Sequence, residues 1–172
     1  MSIVKANSWQ LSNGNTVNTI LQQASYKYTG NQSFSSPGVY YQNTNVLVSI
    51  TAKRANSLFI VYADIQGYSQ AFSTGWNIGI RRTVGGSSTL IAGYDGSHSN
   101  PSDTWMGFGH ASGSTTSSWS KLRTAHDLPG VAAGTSITYT ACLGGWSGGG
   151  VCSVGWSGYN SDNTITVLEI AQ

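Results

Sequence analysis

Apolar residues in this chain recur at every second position in short runs, the period of a strand with one face in a core, and almost nowhere at helical spacing. In "TNVLVSITA" (44–52) Val46, Val48 and Ile50 share one face. In "NSLFIVYADI" (56–65) Leu58, Ile60 and Tyr62 lie on one side and Phe59, Val61, Ala63 and Ile65 on the other, so this strand is expected to be covered on both faces. "WNIGIRRTV" (76–84) sets Trp76, Ile78 and Ile80 against Asn77, Gly79 and Arg81, and "TSITYTACL" (135–143) aligns Ile137, Tyr139, Ala141 and Leu143. "NTITVLEIA" (163–171) places Ile165 and Val167 opposite Leu168 and Ile170. Gly, Asn, Ser or Pro bound each run, and 85–88, 95–101 and 144–150 have the composition of turns. Many short strands separated by such turns predict an all-β sandwich or barrel.

Residues 1–20 break the pattern. Ile3, Val4, Trp9, Leu11 and Val17 are scattered without strand spacing, which predicts an extended arm ahead of one domain over 21–172. An arm with Val4, Trp9, Leu11 and Val17 as apolar anchors and few charges is suited to docking on a partner surface; packing back on its own domain is the alternative.

Charge narrows the partners. Charged residues are 8% of the chain, against roughly 25% in an average soluble protein. The formal net charge is +2, with no basic cluster beyond Lys53-Arg54 and Arg81-Arg82, so neither nucleic acid nor an anionic membrane is an expected partner. No apolar run approaches the roughly 20 residues of a spanning helix, and the first five residues lack a signal-peptide core. Synthesis and use in a cytoplasm, or assembly there into something exported by lysis, is the expectation. Two cysteines, Cys142 and Cys152, lack zinc-site spacing, and no cofactor is expected. If 135–143 and 151–156 pair about a turn near Ser147, the two cysteines fall opposite one another, as free thiols or as a disulfide.

That turn lies in "GGWSGGGVCSVGWSGYN" (144–160), which reads as a hairpin tip. Gly145-Trp146-Ser147-Gly148-Gly149 matches the nucleophile-elbow pattern, but that motif needs a strand-to-helix turn in a parallel sheet. His98, His110 and His126 sit near Asp95, Asp103 and Asp127 in segments read as polar loops, and Asp64 and Glu169 are far apart in sequence. No enzyme is expected. Exposed rings of Trp146, Trp156 and Tyr159, with Trp105 and Trp119 from other loops, are candidates for stacking on carbohydrate; tight packing of a Gly-rich tip is the alternative. Asn31-Gln32-Ser33 matches the glycosylation sequon and carries no weight in a cytoplasmic product.

Three stretches, "VKANSWQLSNGNTVNTILQQ" (4–23), "TAHDLPGVAAGTSITYTACL" (124–143) and "NTITVLEIAQ" (163–172), resemble a family of small bacteriophage virion proteins. In that family an N-terminal arm leads into a jelly-roll similar to the heads of tumour necrosis factor and C1q. Asp127-Leu128-Pro129 inverts the family's Leu-Asp order, and the Gly/Trp segment at 144–160 is an addition to its pattern. The resemblance implies a homotrimer on the virion surface, assembled in the host cytoplasm, whose arm docks on the major capsid protein or on a tail or fibre adaptor. It implies no chemistry. Tyr26, Tyr28, Tyr40 and Tyr41 are candidates for the trimer interface, with the monomer core or rim as their alternative place. A short arm and single head suit a capsid decoration or cement protein; the runner-up is a tail-fibre or receptor-binding tip recognising a host surface glycan.

Overall fold

A computed structural model of the chain describes residues 9–10, 16–17, 19–35, 42–70, 76–93, 117–145, 151–155 and 162–172. Twelve strands run through them: β1 (Trp9–Gln10), β2 (Thr16–Val17), β3 (Ile20–Tyr28), β4 (Gln32–Ser35), β5 (Gln42–Thr51), β6 (Leu58–Gln70), β7 (Trp76–Val84), β8 (Ser87–Ala92), β9 (Ser117–Asp127), β10 (Ser136–Gly145), β11 (Val151–Val154) and β12 (Asn163–Ile170). β1 and β2 pair with each other, Trp9 opposite Val17, so this part of the arm is a short hairpin rather than a fully extended run.

The remaining strands form two antiparallel sheets. One has the order β5-β10-β7-β8. In the other, one edge of β6 carries β9, and its opposite edge is shared end to end by β12 (continuing to β3) and β11 (continuing to β4). With β4 and β11 set aside, the eight principal strands in chain order lie as 1-8-3-6 in one sheet and 2-7-4-5 in the other. Consecutive strands change sheet at every step but the β7–β8 hairpin, which is the jelly-roll connection. That hairpin turns at Gly85 and Gly86, both with positive φ (55° and 83°), the backbone a two-residue hairpin demands.

The core lies between the sheets where the alternation places it. Val46, Val48 and Ile50 from β5, Ile137, Tyr139, Ala141 and Leu143 from β10, and Ile165 and Val167 from β12 are buried against Phe59, Val61, Ala63 and Ile65 of β6. Among the described residues the other face of β6 is only partly covered: Leu58 and Ile60 are half-buried and Tyr62 is 36% exposed, where cover on both sides was expected.

The expected pairing of 135–143 with 151–156 does not occur. Both edges of β10 are already taken, by β5 and β7, so the chain crosses after Gly145 to the other sheet, where β11 pairs with β6 and β4. The segment read as a hairpin tip therefore connects two sheets. Cys142 and Cys152 lie in different sheets, both are buried, and they are not joined in a disulfide. His126 and Asp127, read as loop residues, close β9.

Candidate functional site

Two buried carboxylates lie in one row across the inner face of the larger sheet, because Phe59 has Glu169 as its partner on β12 and Asp127 on β9. Glu169 is fully buried and accepts hydrogen bonds from the backbone N–H groups of Lys53 (2.9 and 3.0 Å) and Arg54 (3.1 Å) and from Gln22 Nε2 (2.6 Å). Burial alone would raise its pKa; these donors together with the Ser57 side chain outweigh it and hold the carboxyl below its usual range. Asp127 accepts from Arg82 Nη1 (2.7 Å) and Tyr139 Oη (2.8 Å), joining β9 to both central strands of the facing sheet. Burial first, and then the charge and hydrogen bond of Asp127, push the Tyr139 phenol well above its ordinary pKa. Every oxygen of these two carboxylates has a donor, and each ties loop or sheet to sheet. Both carboxylates hold the fold together. Among the described residues no three His, Cys, Asp or Glu side chains are grouped to hold a metal ion.

Two surfaces remain open. The first is the outer face of the β3-β12-β6-β9 sheet. By register Leu168, Ile60 and His126 form one row, Thr166, Tyr62 and Thr124 the next, and Thr164, Asp64 and Leu122 a third. Leu122 is 59% exposed, Tyr62 is exposed and Ile60 and Leu168 are half-buried, so apolar side chains stand on this face among His126, Asp64 and the threonines.

The second is a groove of about 620 Å³ at the side of the sandwich, where the edge strands β3 and β5 of the two sheets run past each other. Ser25, Tyr26, Tyr28, Asn45, Leu47, Val48 and Ser49 line it. Tyr26 is opposite the fully buried Ile165 and so is on the core side of its sheet, yet it is 43% exposed because β3 overhangs the facing sheet. Leu47, on the otherwise polar outer side of β5, is 41% exposed. Gln22 Nε2 closes one end by donating to Thr51 O (2.5 Å), and Gln32 Oε1 closes the other by accepting from Asn45 N (2.6 Å).

Of the residues singled out in the sequence, Tyr26 and Tyr28 come together in this groove, away from the open sheet face. Tyr40, Tyr41, Val4, Leu11, Trp105, Trp146, Trp156 and Tyr159 lie outside the described residues, as do His98, His110, Asp95 and Asp103. Trp9 and Val17 are paired in the β1–β2 hairpin, and Trp119 lies in β9 opposite Gly67. His126 is exposed on the outer sheet face. Sequence reasoning missed Leu122, Leu47 and Asn45. Leu47 had a signal, an apolar residue on the polar side of an alternating strand.

No family model matches the chain, and no curated protein sequence matches it. Solved structures that align with it include Eiger, a tumour necrosis factor of S. frugiperda, at 11% identity over 81% of this chain and 94% of that one (TM-score 0.35). The VP2 subviral particle of infectious bursal disease virus aligns at 14% identity over 96% of this chain and 42% of that one (TM-score 0.37), and the Gx strain of that virus at 16% over 97% and 44% (TM-score 0.34). The chain spans less than half the length of these viral chains.

Proposed function

We propose that this chain is a non-enzymatic structural protein of a bacteriophage particle, a homotrimeric jelly-roll carried on the virion surface by its N-terminal arm. The observation that carries the reading is the set of apolar side chains, Ile60, Tyr62, Leu122 and Leu168, that stand half-buried or exposed on the outer face of the larger sheet. Over its first half β6 is apolar on both sides: Phe59, Val61 and Ala63 are buried in the core, while Leu58 and Ile60 are half-buried and Tyr62 is exposed on the other side. Ile60, Tyr62, Leu122 and Leu168 then pack against neighbouring copies about a three-fold axis, burying side chains that a monomer leaves in water. This replaces Tyr26 and Tyr28 as the trimer contact. The resemblance of the segments at 4–23, 124–143 and 163–172 to phage virion proteins supports the particle assignment, with capsid decoration as the first choice.

A second reading, a receptor-binding tail tip, is favoured by the uncharged aromatic groove between β3 and β5. Locating the protein on particles with a labelled antibody separates the two: label over the head supports decoration, and label at the tail tip supports adsorption. Deleting residues 1–19 leaves a folded trimer that no longer joins particles; unchanged occupancy after that deletion places the docking surface in the jelly-roll instead.

A further inference from the structure

The groove between β3 and β5 has the makings of a small-ligand site. Its lining is two phenols, two hydroxyls, one carboxamide and two aliphatic side chains, with no acid or base ionised at neutral pH. Its volume of about 620 Å³ lies within the range of ligand clefts. One wall is the Tyr28 ring, which lies against Gly30. A Cβ on Gly30 would fall 2.5 Å from Tyr28 Oη and 2.6 Å from its Cζ, so any side chain there would push the ring out of its place. Beside it Tyr26 presents an exposed ring, and its neighbour across the groove, Asn45, has its backbone N–H already occupied by Gln32.

The same contacts argue against a peptide adding as a strand to β5. Its free edge is already bonded at Asn45 N by Gln32 and at Thr51 O by Gln22, so an added strand would have to displace both side chains or stop between them. Anionic ligands find no cation in the lining. The chemistry that fits two aromatic faces beside hydroxyl and amide groups, without charge, is that of an uncharged sugar, whose C–H faces stack on rings while its hydroxyls take hydrogen bonds. We propose that the Tyr26–Tyr28 groove binds a neutral oligosaccharide, with the two rings as the stacking platform and Asn45, Ser25 and Ser49 as the orienting polar groups. The inference holds for a head or a tail location and does not rest on either.

The test uses the full-length protein in solution and saturation-transfer NMR with neutral tetrasaccharides of glucose, mannose, galactose and N-acetylglucosamine, with tetragalacturonate as the charged comparison. At least one neutral tetrasaccharide binds at millimolar concentration and tetragalacturonate does not. Tyr26→Ala and Gly30→Ala each weaken that binding about tenfold or more, while Tyr26→Phe, which keeps the ring, stays within a few-fold. Circular dichroism of the variants matches the parent, so loss of binding is not loss of fold. Absence of transfer from every neutral member, a preference for the uronate, or unchanged affinity in folded Tyr26→Ala overturns the proposal.

Discussion

The carboxylate of Glu169, near the C-terminal end of the last strand, accepts the backbone N–H of Lys53 at 2.9 and 3.0 Å and so fixes the turn that carries the chain from β5 in one sheet to β6 in the other. That turn is also bonded through Ala52 N to Thr135 O and through Asn56 N to Val131 O, so the buried acid supports the end of the sandwich where the β5–β6 and β9–β10 connections meet. Glu169→Ala leaves several buried donors unpartnered and is expected to cost about 3 kcal/mol or more in a denaturant titration, with Glu169→Gln intermediate because its amide keeps one acceptor.

The same contact sets the response to acid. The folded-state pKa of Glu169 is depressed, so its contribution is full above the unfolded carboxylate value of about 4.3 and is lost as pH falls through the lower folded value. Stability measured between pH 6 and about pH 3 should therefore fall with acid more steeply in the parent than in Glu169→Gln. Parallel curves for the two proteins contradict this.

Tyr139 reports the second buried acid. Its hydroxyl donates to Asp127 at 2.8 Å inside the core, and Arg82 binds the other oxygen of the same carboxylate. Tyr139→Phe leaves that oxygen without its donor and is expected to cost about 1.5–3 kcal/mol, as for a bond to a charged group. Because its phenol pKa is raised by burial and by Asp127, the tyrosinate absorbance of Tyr139 appears only with alkaline unfolding.

The cysteines give a third test. Cys142 is fully buried, and burial pushes its thiol up to about 11 against the opposing pull of Arg81. Neither Cys142 nor Cys152 should react with a thiol reagent at pH 8 in the native protein, both should react in denaturant, and a reductant should leave the melting temperature unchanged. A native mass two hydrogens short contradicts the arrangement.

How much of this was legible in the sequence follows from what periodicity measures. Strands β5, β6, β10 and β12 were visible because Val46, Phe59, Ile137 and Val167 and their alternate neighbours face a core closed on them. Strand β9 was not, because its polarity is inverted. Lys121 and Arg123 share the core side with Ala125 while Leu122 points to solvent, an arrangement possible at a sheet edge where long stems reach the rim. Partnership was a second blind spot: alternation in 135–143 and 151–156 fits a hairpin as well as two strands in different sheets, and only the occupied edges of β10 decide. Glu169 was weighed only as a carboxylate far in sequence from Asp64, since its actual partners are backbone N–H groups 116 and 115 positions away. For the groove, Tyr26 and Tyr28 were noted as trimer-interface candidates, but the approach of β5 to β3 was invisible.

In the proposed trimer, other copies of the chain cover Ile60, Tyr62, Leu122 and Leu168 on the outer face of the larger sheet. Light scattering on the full-length protein at micromolar concentration tests it most directly, with Tyr62→Lys/Leu122→Lys measured beside it. The account predicts three times the 18.1 kDa chain mass for the parent. The double variant should be a monomer of unchanged circular dichroism, since each interface loses about 2 kcal/mol of apolar burial per side chain and gains buried charge. A monomeric parent, or a trimer indifferent to both lysines, would contradict it.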